Sequence, residues 1–141
     1  MQTYQVKISN KCVVWYQNGV LHRLDGPAIE YLNGCRKEWY QNGKRHRIDG
    51  PAIECFSGTK SWYQNGRKHR LDGPAIECFN GRKEWWVNGF RHRTGGPAIK
   101  GKNGTKSYWE NGKPIYNPNE AKEMTVSEIA KELGYNVKVV K

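Results

Sequence analysis

The sequence predicts a mainly β fold: an antiparallel hairpin-repeat meander forming a single extended, solenoid-like sheet with a short C-terminal helix and strand. Three observations predict it. Four near-copies of one phrase run through the chain, at Trp15–Glu30, Trp39–Glu54, Trp62–Glu77 and Trp85–Lys100, and a fifth begins at Tyr108 and then departs. The leading aromatic recurs at positions 15, 39, 62, 85 and 108, a fixed period that marks a repeat architecture. Every copy also carries Asn-Gly, at 18–19, 42–43, 65–66, 88–89 and 111–112. This pair is the strongest short hairpin signal, because both central residues of a type I′ turn need positive φ.

The elements follow in order. Residues 1–14 hold the strand-like runs Tyr4–Ile8 and Lys11–Trp15, which can cap the first repeat. Residues 15–112 are the tandem repeats. In the second copy, Lys37-Glu-Trp-Tyr-Gln alternates in β fashion up to the turn at Asn42-Gly43, and the chain returns through His46-Arg47. Pro51 of Asp49-Gly50-Pro51 has no N–H and a fixed φ, so the chain turns or bulges there. Ala52–Phe56 forms the next strand, and Ser57-Gly58 leads into the next copy, as Asn33-Gly34, Asn80-Gly81 and Asn103-Gly104 do elsewhere. Each copy then supplies about two strands, some ten in all, with each Trp and each Ile buried between neighbouring copies. Residues 113–141 are a linker and cap. Lys113-Pro-Ile-Tyr-Asn-Pro118 is rich in breakers, Thr125-Val-Ser-Glu128 matches a capping box, and Val126, Ile129, Ala130 and Leu133 share a helical face. Gly134 stands where a helix stops, and Tyr135–Val140 reads as a strand.

Composition narrows the class. The chain has 141 residues, of which 36% are hydrophobic, with six Trp and eight Tyr. Large, evenly spaced aromatics suit a thin sheet better than a deep core. No apolar run reaches the roughly 20 residues of a membrane helix, and the N-terminus has no apolar signal region, so a cytoplasmic protein is expected. Cys12, Cys35, Cys55 and Cys78 include no CxxC pair, and neither a metal nor any other cofactor is expected. The net charge of +11 attracts polyanions and equally serves as a solubilising coat on an open sheet.

Two columns of residues could carry chemistry. His22, His46, His69 and His92 are all the histidines, and Asp25, Asp49 and Asp72 follow the first three. His beside a carboxylate is the raw material of a general base. Yet the pair recurs in copy after copy with no unique nucleophile, so a structural role is expected and no catalytic residue is assigned. Arg23, Arg47, Arg70 and Arg93 form the second column, with Tyr40 and Tyr63 as aromatic neighbours. If these share a face, they form a ligand- or partner-binding stripe in which guanidinium groups clamp phosphates and rings stack on bases. Alternatively, Glu30, Glu54 and Glu77 neutralise part of the column.

The aromatic, the turn Asn-Gly, the His three residues on and the second turn Gly resemble divergent MORN-type repeats over about residues 12–112. The matching positions in the second copy are Trp39, Gly43, His46 and Gly58. The chain departs at Arg47, where the family commonly has Gly, and in the inserted Asp49-Gly50-Pro51-Ala52. The resemblance implies an extended hairpin sheet that is a scaffold and not an enzyme, with protein interaction and phospholipid binding both proposed for the family. The tail from Met124 to Tyr135 resembles endings of small phage proteins. The expected function is a non-enzymatic repeat scaffold that binds a protein partner, in a phage setting an inhibitor of a host defence factor acting in the host cytoplasm. The alternative is an anion-binding module that holds nucleic acid, a nucleotide signal or acidic lipid. A membrane surface ranks below both as a partner, and the C-terminal segment is available for oligomerisation.

Overall fold

A computed structural model describes residues 3–117 together with Thr125, Glu128, Ala130, Lys131 and Gly134. Among these residues the fold is an antiparallel β meander that does not close into a barrel. The main sheet begins with Tyr4–Ile8 and Cys12–Gln17, then runs through Ile29–Tyr31, Arg36–Glu38, Ile53–Cys55, Lys60–Ser61, Ile76–Glu77, Lys83–Glu84 and Ile99–Lys100. It ends with Lys106–Glu110 and Lys113–Ile115, and Val20–Leu21 pairs with Cys12–Gln17 off this path. Three two-stranded ribbons lie beside it: Tyr40–Gln41 with Lys44–Arg45, Tyr63–Gln64 with Arg67–Lys68, and Trp86–Val87 with Phe90–Arg91.

The strand count therefore exceeds the expected ten, and the reason lies at the Trp of each copy. Trp39 turns its N–H to the carbonyl of Ala52 (2.8 Å), and its own carbonyl accepts from the His46 N–H (3.1 Å). Trp62 and Trp85 do the same with Ala75 and His69, and with Ala98 and His92. In these three copies the opening Trp thus leaves one ladder and enters the other, splitting one long strand into a sheet strand and a ribbon strand, whereas Trp15 stays inside the unbroken strand Cys12–Gln17.

The ribbons join one another through the backbone. Gly43 donates to the Leu21 carbonyl and Arg23 donates to the Tyr40 carbonyl; Gly66 and Arg45, then Arg47 and Tyr63, repeat the pattern one copy on. The tips are type I′ turns: Asn42 and Gly43 have φ of 50° and 73°, and the other four Asn-Gly pairs match them. Gly34, Gly58, Gly81 and Gly104 are left-handed without a left-handed residue before them, so the second turn of each copy is of another kind.

The core differs from the expected Trp and Ile layer. Ala28, Ala52, Ala75 and Ala98 are fully buried, Ile53 is nearly so, and every Trp of the repeats is half-buried. A single-layer sheet leaves no interior wide enough for an indole, whereas an alanine fits where the Asp-Gly-Pro loop meets the sheet. At the C-terminus, Thr125 and Glu128 bond reciprocally as a capping box, with Thr125 N–H to Glu128 Oε2 at 2.8 Å and Glu128 N–H to Thr125 Oγ1 at 3.3 Å. Glu128, Ala130 and Lys131 have helical backbone, but no helix is defined as an element among the described residues, and the expected strand at 135–140 lies outside them.

Because the alanine site is closed and the exposed positions are not, Ala75→Leu should destabilise the protein by about 1–3 kcal/mol through overpacking. Leu71→Ala, at a side chain 79% exposed, should change stability by less than about 0.5 kcal/mol. Urea denaturation of the two variants checks the pair.

Candidate functional site

Neighbouring residues of an extended strand point to opposite faces, and this decides what meets what. Trp39 and Tyr40 are such neighbours. The Trp face carries Trp15, Trp39, Trp62 and Trp85, each covered by the Arg of its own copy. The guanidinium carbons of Arg23, Arg47, Arg70 and Arg93 lie 4.1, 4.1, 4.0 and 3.9 Å from the ring centroids. On its far side each guanidinium packs against the glycine of Gly-Pro. A Cβ built on Gly50 or Gly73 would lie 3.0 Å from the Arg47 or Arg70 Cζ, so any other residue would press on the guanidinium. The φ of these two glycines is not left-handed.

The fork of each Arg is used within the repeat. Arg70 donates from Nε to Asp72 Oδ1 (2.9 Å) and from Nη1 to the Pro74 carbonyl (3.2 Å) and Glu77 Oε1 (3.0 Å). Arg47 does the same with Asp49, Pro51 and Glu54. Arg23 reaches Asp25 and the Pro27 carbonyl, while Glu30 pairs with Lys37. Hydrogen bonding from the guanidinium, with its charge and a backbone bond adding to it, holds the carboxyls of Asp25, Asp49 and Asp72 below the usual carboxylate range.

Tyr40 and Tyr63 stand on the opposite face, so the structure does not bring them together with the Arg column. Their cationic neighbour is Arg45, at 5.6 Å from Tyr40 and 5.7 Å from Tyr63. The Tyr40 hydroxyl donates to Glu38 Oε2 (3.0 Å), and burial, then the Glu38 charge, push the phenol above its ordinary range. Glu38 is buried and also pairs with Arg36 (2.8 Å) and Arg45 (3.2 Å). Glu84 repeats this with Arg82, Arg91 and the indole N–H of Trp86. Sequence reasoning missed this pair. The signal was present in the residue before each Trp, which runs Val14, Glu38, Ser61 and Glu84.

The histidines join copies. The N–H of Asn42 donates to His22 Nδ1 (3.0 Å), that of Asn65 to His46, that of Asn88 to His69 and that of Asn111 to His92. All four rings thus do the same work, holding the turn of the following copy.

A serrated groove runs along the Asp-Gly-Pro loops. Between the first two loops a notch of about 590 Å³ has Trp39, His46 and Arg47 among its lining, with Leu24 and Ile48 beside it. The next, about 550 Å³, repeats it with Trp62, His69 and Arg70 between Ile48 and Leu71. A third, about 470 Å³, has Trp85, His92 and Arg93 between Leu71 and Thr94. Leu24, Ile48 and Leu71 are 74, 80 and 79% exposed. Sequence reasoning overlooked this column, although its position between Arg and Asp was constant in three copies.

The four cysteines are free, and no group of three metal-binding side chains occurs among the described residues. Among the same residues no helix is long and apolar enough to cross a membrane. Comparison with protein-family models, curated proteins and solved structures gives no match.

The lowered Asp values set a pH dependence. With the folded pKa below the unfolded one, the unfolded state binds more protons at acid pH. The Arg–Asp pairs therefore contribute stability above the ordinary carboxylate range and lose it as pH falls through the depressed values. Melting temperature should fall below about pH 4, and the fall should be shallower for the triple variant Asp25→Asn, Asp49→Asn, Asp72→Asn. Thermal melts from pH 7 to pH 2 check this, and equal slopes for the two proteins would contradict it.

Proposed function

We propose that the chain is a non-enzymatic, solenoid-like repeat scaffold of divergent MORN type whose serrated groove binds a protein partner. One observation carries the reading: three consecutive copies hold Leu24, Ile48 and Leu71 out in solvent, in register, beside notches that contain an indole. Exposed single hydrophobics need no explanation, but a column repeated at one position beside a groove marks an interaction surface. Covering such a side chain on binding contributes about 1.5–3 kcal/mol. A periodic partner surface, or an extended segment laid across the notches, suits this geometry. In a phage setting the partner is a host protein.

The competing reading, an anion module built on the Arg column, is weakened by how that column is used. Arg23, Arg47 and Arg70 lie over Trp rings with their forks turned to Asp and Pro, and Arg47 and Arg70 also to Glu. A polyanion would have to displace those partners. Equivalent jobs for all four histidines support a scaffold over an active site, which would single out one copy.

The test is the triple variant Leu24→Ser, Ile48→Ser, Leu71→Ser. Its melting temperature should stay within about 3 °C of wild type, because exposed side chains contribute little to stability. Protein captured from host lysate at high salt by wild type should be lost from the variant. Salt-sensitive nucleic acid retained equally by both proteins would contradict the proposal.

A further inference from the structure

The fourth copy breaks the pattern in one place. Across the Trp face of the main sheet, one register row reads Glu30, Lys37, Glu54, Lys60, Glu77 and Lys83, alternating in sign from strand to strand. The next two partners in that row are Lys100 and Lys106. Lys100 stands where the earlier copies have Glu54 and Glu77, so three lysines lie side by side on adjacent strands. Like charges placed directly opposite one another destabilise a sheet.

The Arg of this copy has lost its acidic partners as well. Gly95 replaces the aspartate, with φ of 73°, a left-handed conformation that Asp25, Asp49 and Asp72 do not adopt. Arg93 keeps the Pro97 carbonyl (3.3 Å) and the Trp85 ring, and makes no ion pair among the described residues. Lys100 Nζ lies 5.7 Å from the centroid of that same ring. Glycine for aspartate adds one positive charge and lysine for glutamate adds two, so this copy is three charges more positive than its neighbours at equivalent positions. Glu77, opposite Lys83, is already bonded to Arg70.

We propose that Lys83, Lys100, Lys106 and Arg93 form an anion site for a small ligand carrying two or more linked phosphates. With strands about 4.8 Å apart, the three lysines span about 10 Å. A single phosphate meets only part of that row, whereas a chain of linked phosphates lies along it. The exposed ammonium groups supply charge, and Arg93, fixed over Trp85, supplies an oriented fork at one side. The site meets the serrated groove only at Arg93, which also lines the third notch, and its three lysines do not depend on the protein-binding reading.

The variant that tests this restores the repeat. Lys100→Glu gives the fourth copy the residue found in the second and third, so it should fold and melt at or above the wild-type temperature. Inorganic tripolyphosphate is the probe, titrated by calorimetry and by amide chemical shifts near physiological ionic strength. Wild type should bind with shifts concentrated at Lys83, Lys100 and Lys106. Lys100→Glu should weaken binding about tenfold, the scale expected from reversing one close surface charge. Lys11→Glu makes the same change in net charge at the other end of the sheet and should alter affinity by less than about twofold. ATP should match tripolyphosphate if the phosphate chain alone is read, and bind more tightly if the base adds contacts. Equal weakening by both substitutions would reduce the effect to net charge and overturn the site. So would tighter binding of a single-stranded oligonucleotide with shifts spread over all copies.

Discussion

The guanidinium held between an indole and a glycine is the interaction on which the rest of this structure depends. In each of four copies it ties the residue that opens the repeat to the loop that closes it, at 3.9 to 4.1 Å from ring to guanidinium carbon. A cation over a Trp face is worth about 0.5–1 kcal/mol when exposed and about 2 when desolvated. Half-buried as it is, the stack lies between these limits, and the Pro carbonyl and the carboxylates add bonds that fix its orientation. That orientation sets the path of the Asp-Gly-Pro loop, seats the buried alanine and leaves Leu24, Ile48 and Leu71 facing outward. The charge that makes the chain look like a polyanion binder is thus in part an internal fastening.

Between copies the fastening is different. Backbone bonds link each ribbon to the next, and an imidazole nitrogen receives the N–H of the next asparagine. Each copy therefore contacts only its neighbours, and stability is a sum of units and interfaces. Thin packing makes every interface matter, since no large side chain is fully buried among the described residues. Paired end strands, Tyr4–Ile8 with Cys12–Gln17, close the first copy along five register pairs.

Much of this was legible in the sequence. The period, the two N-terminal strands and the type I′ tips followed from spacing and from the φ that Asn-Gly alone adopts readily. The expectation that each histidine bonds to a backbone group has its counterpart in the Nδ1 atoms that accept an N–H from the following copy. The interior role of the arginines did not follow. Arg reads as surface charge until the ring beneath it, the glycine behind it and the acceptors around its fork are in place, and those come from residues up to eight positions away on either side in the chain. The alternation of Trp39 and Tyr40 across the strand was readable, and it separates Tyr40 from the Arg column. The buried alanine in place of the Trp was not readable, since burial there depends on how closely the loop returns to the sheet. Lys100 stands where the other copies have Glu, and only the register showed that it lies between two other lysines.

The central claim is that arginine and indole are energetically coupled in each copy, and a double-mutant cycle on the third copy tests it most directly. Arg70→Lys, Trp62→Leu and the double variant should be compared with wild type by urea denaturation. The account predicts that each single change destabilises and that the two are strongly non-additive, with a coupling of about 1–2 kcal/mol. Additive effects within about 0.3 kcal/mol would mean that the guanidinium rests on the ring without depending on it, and would contradict the account.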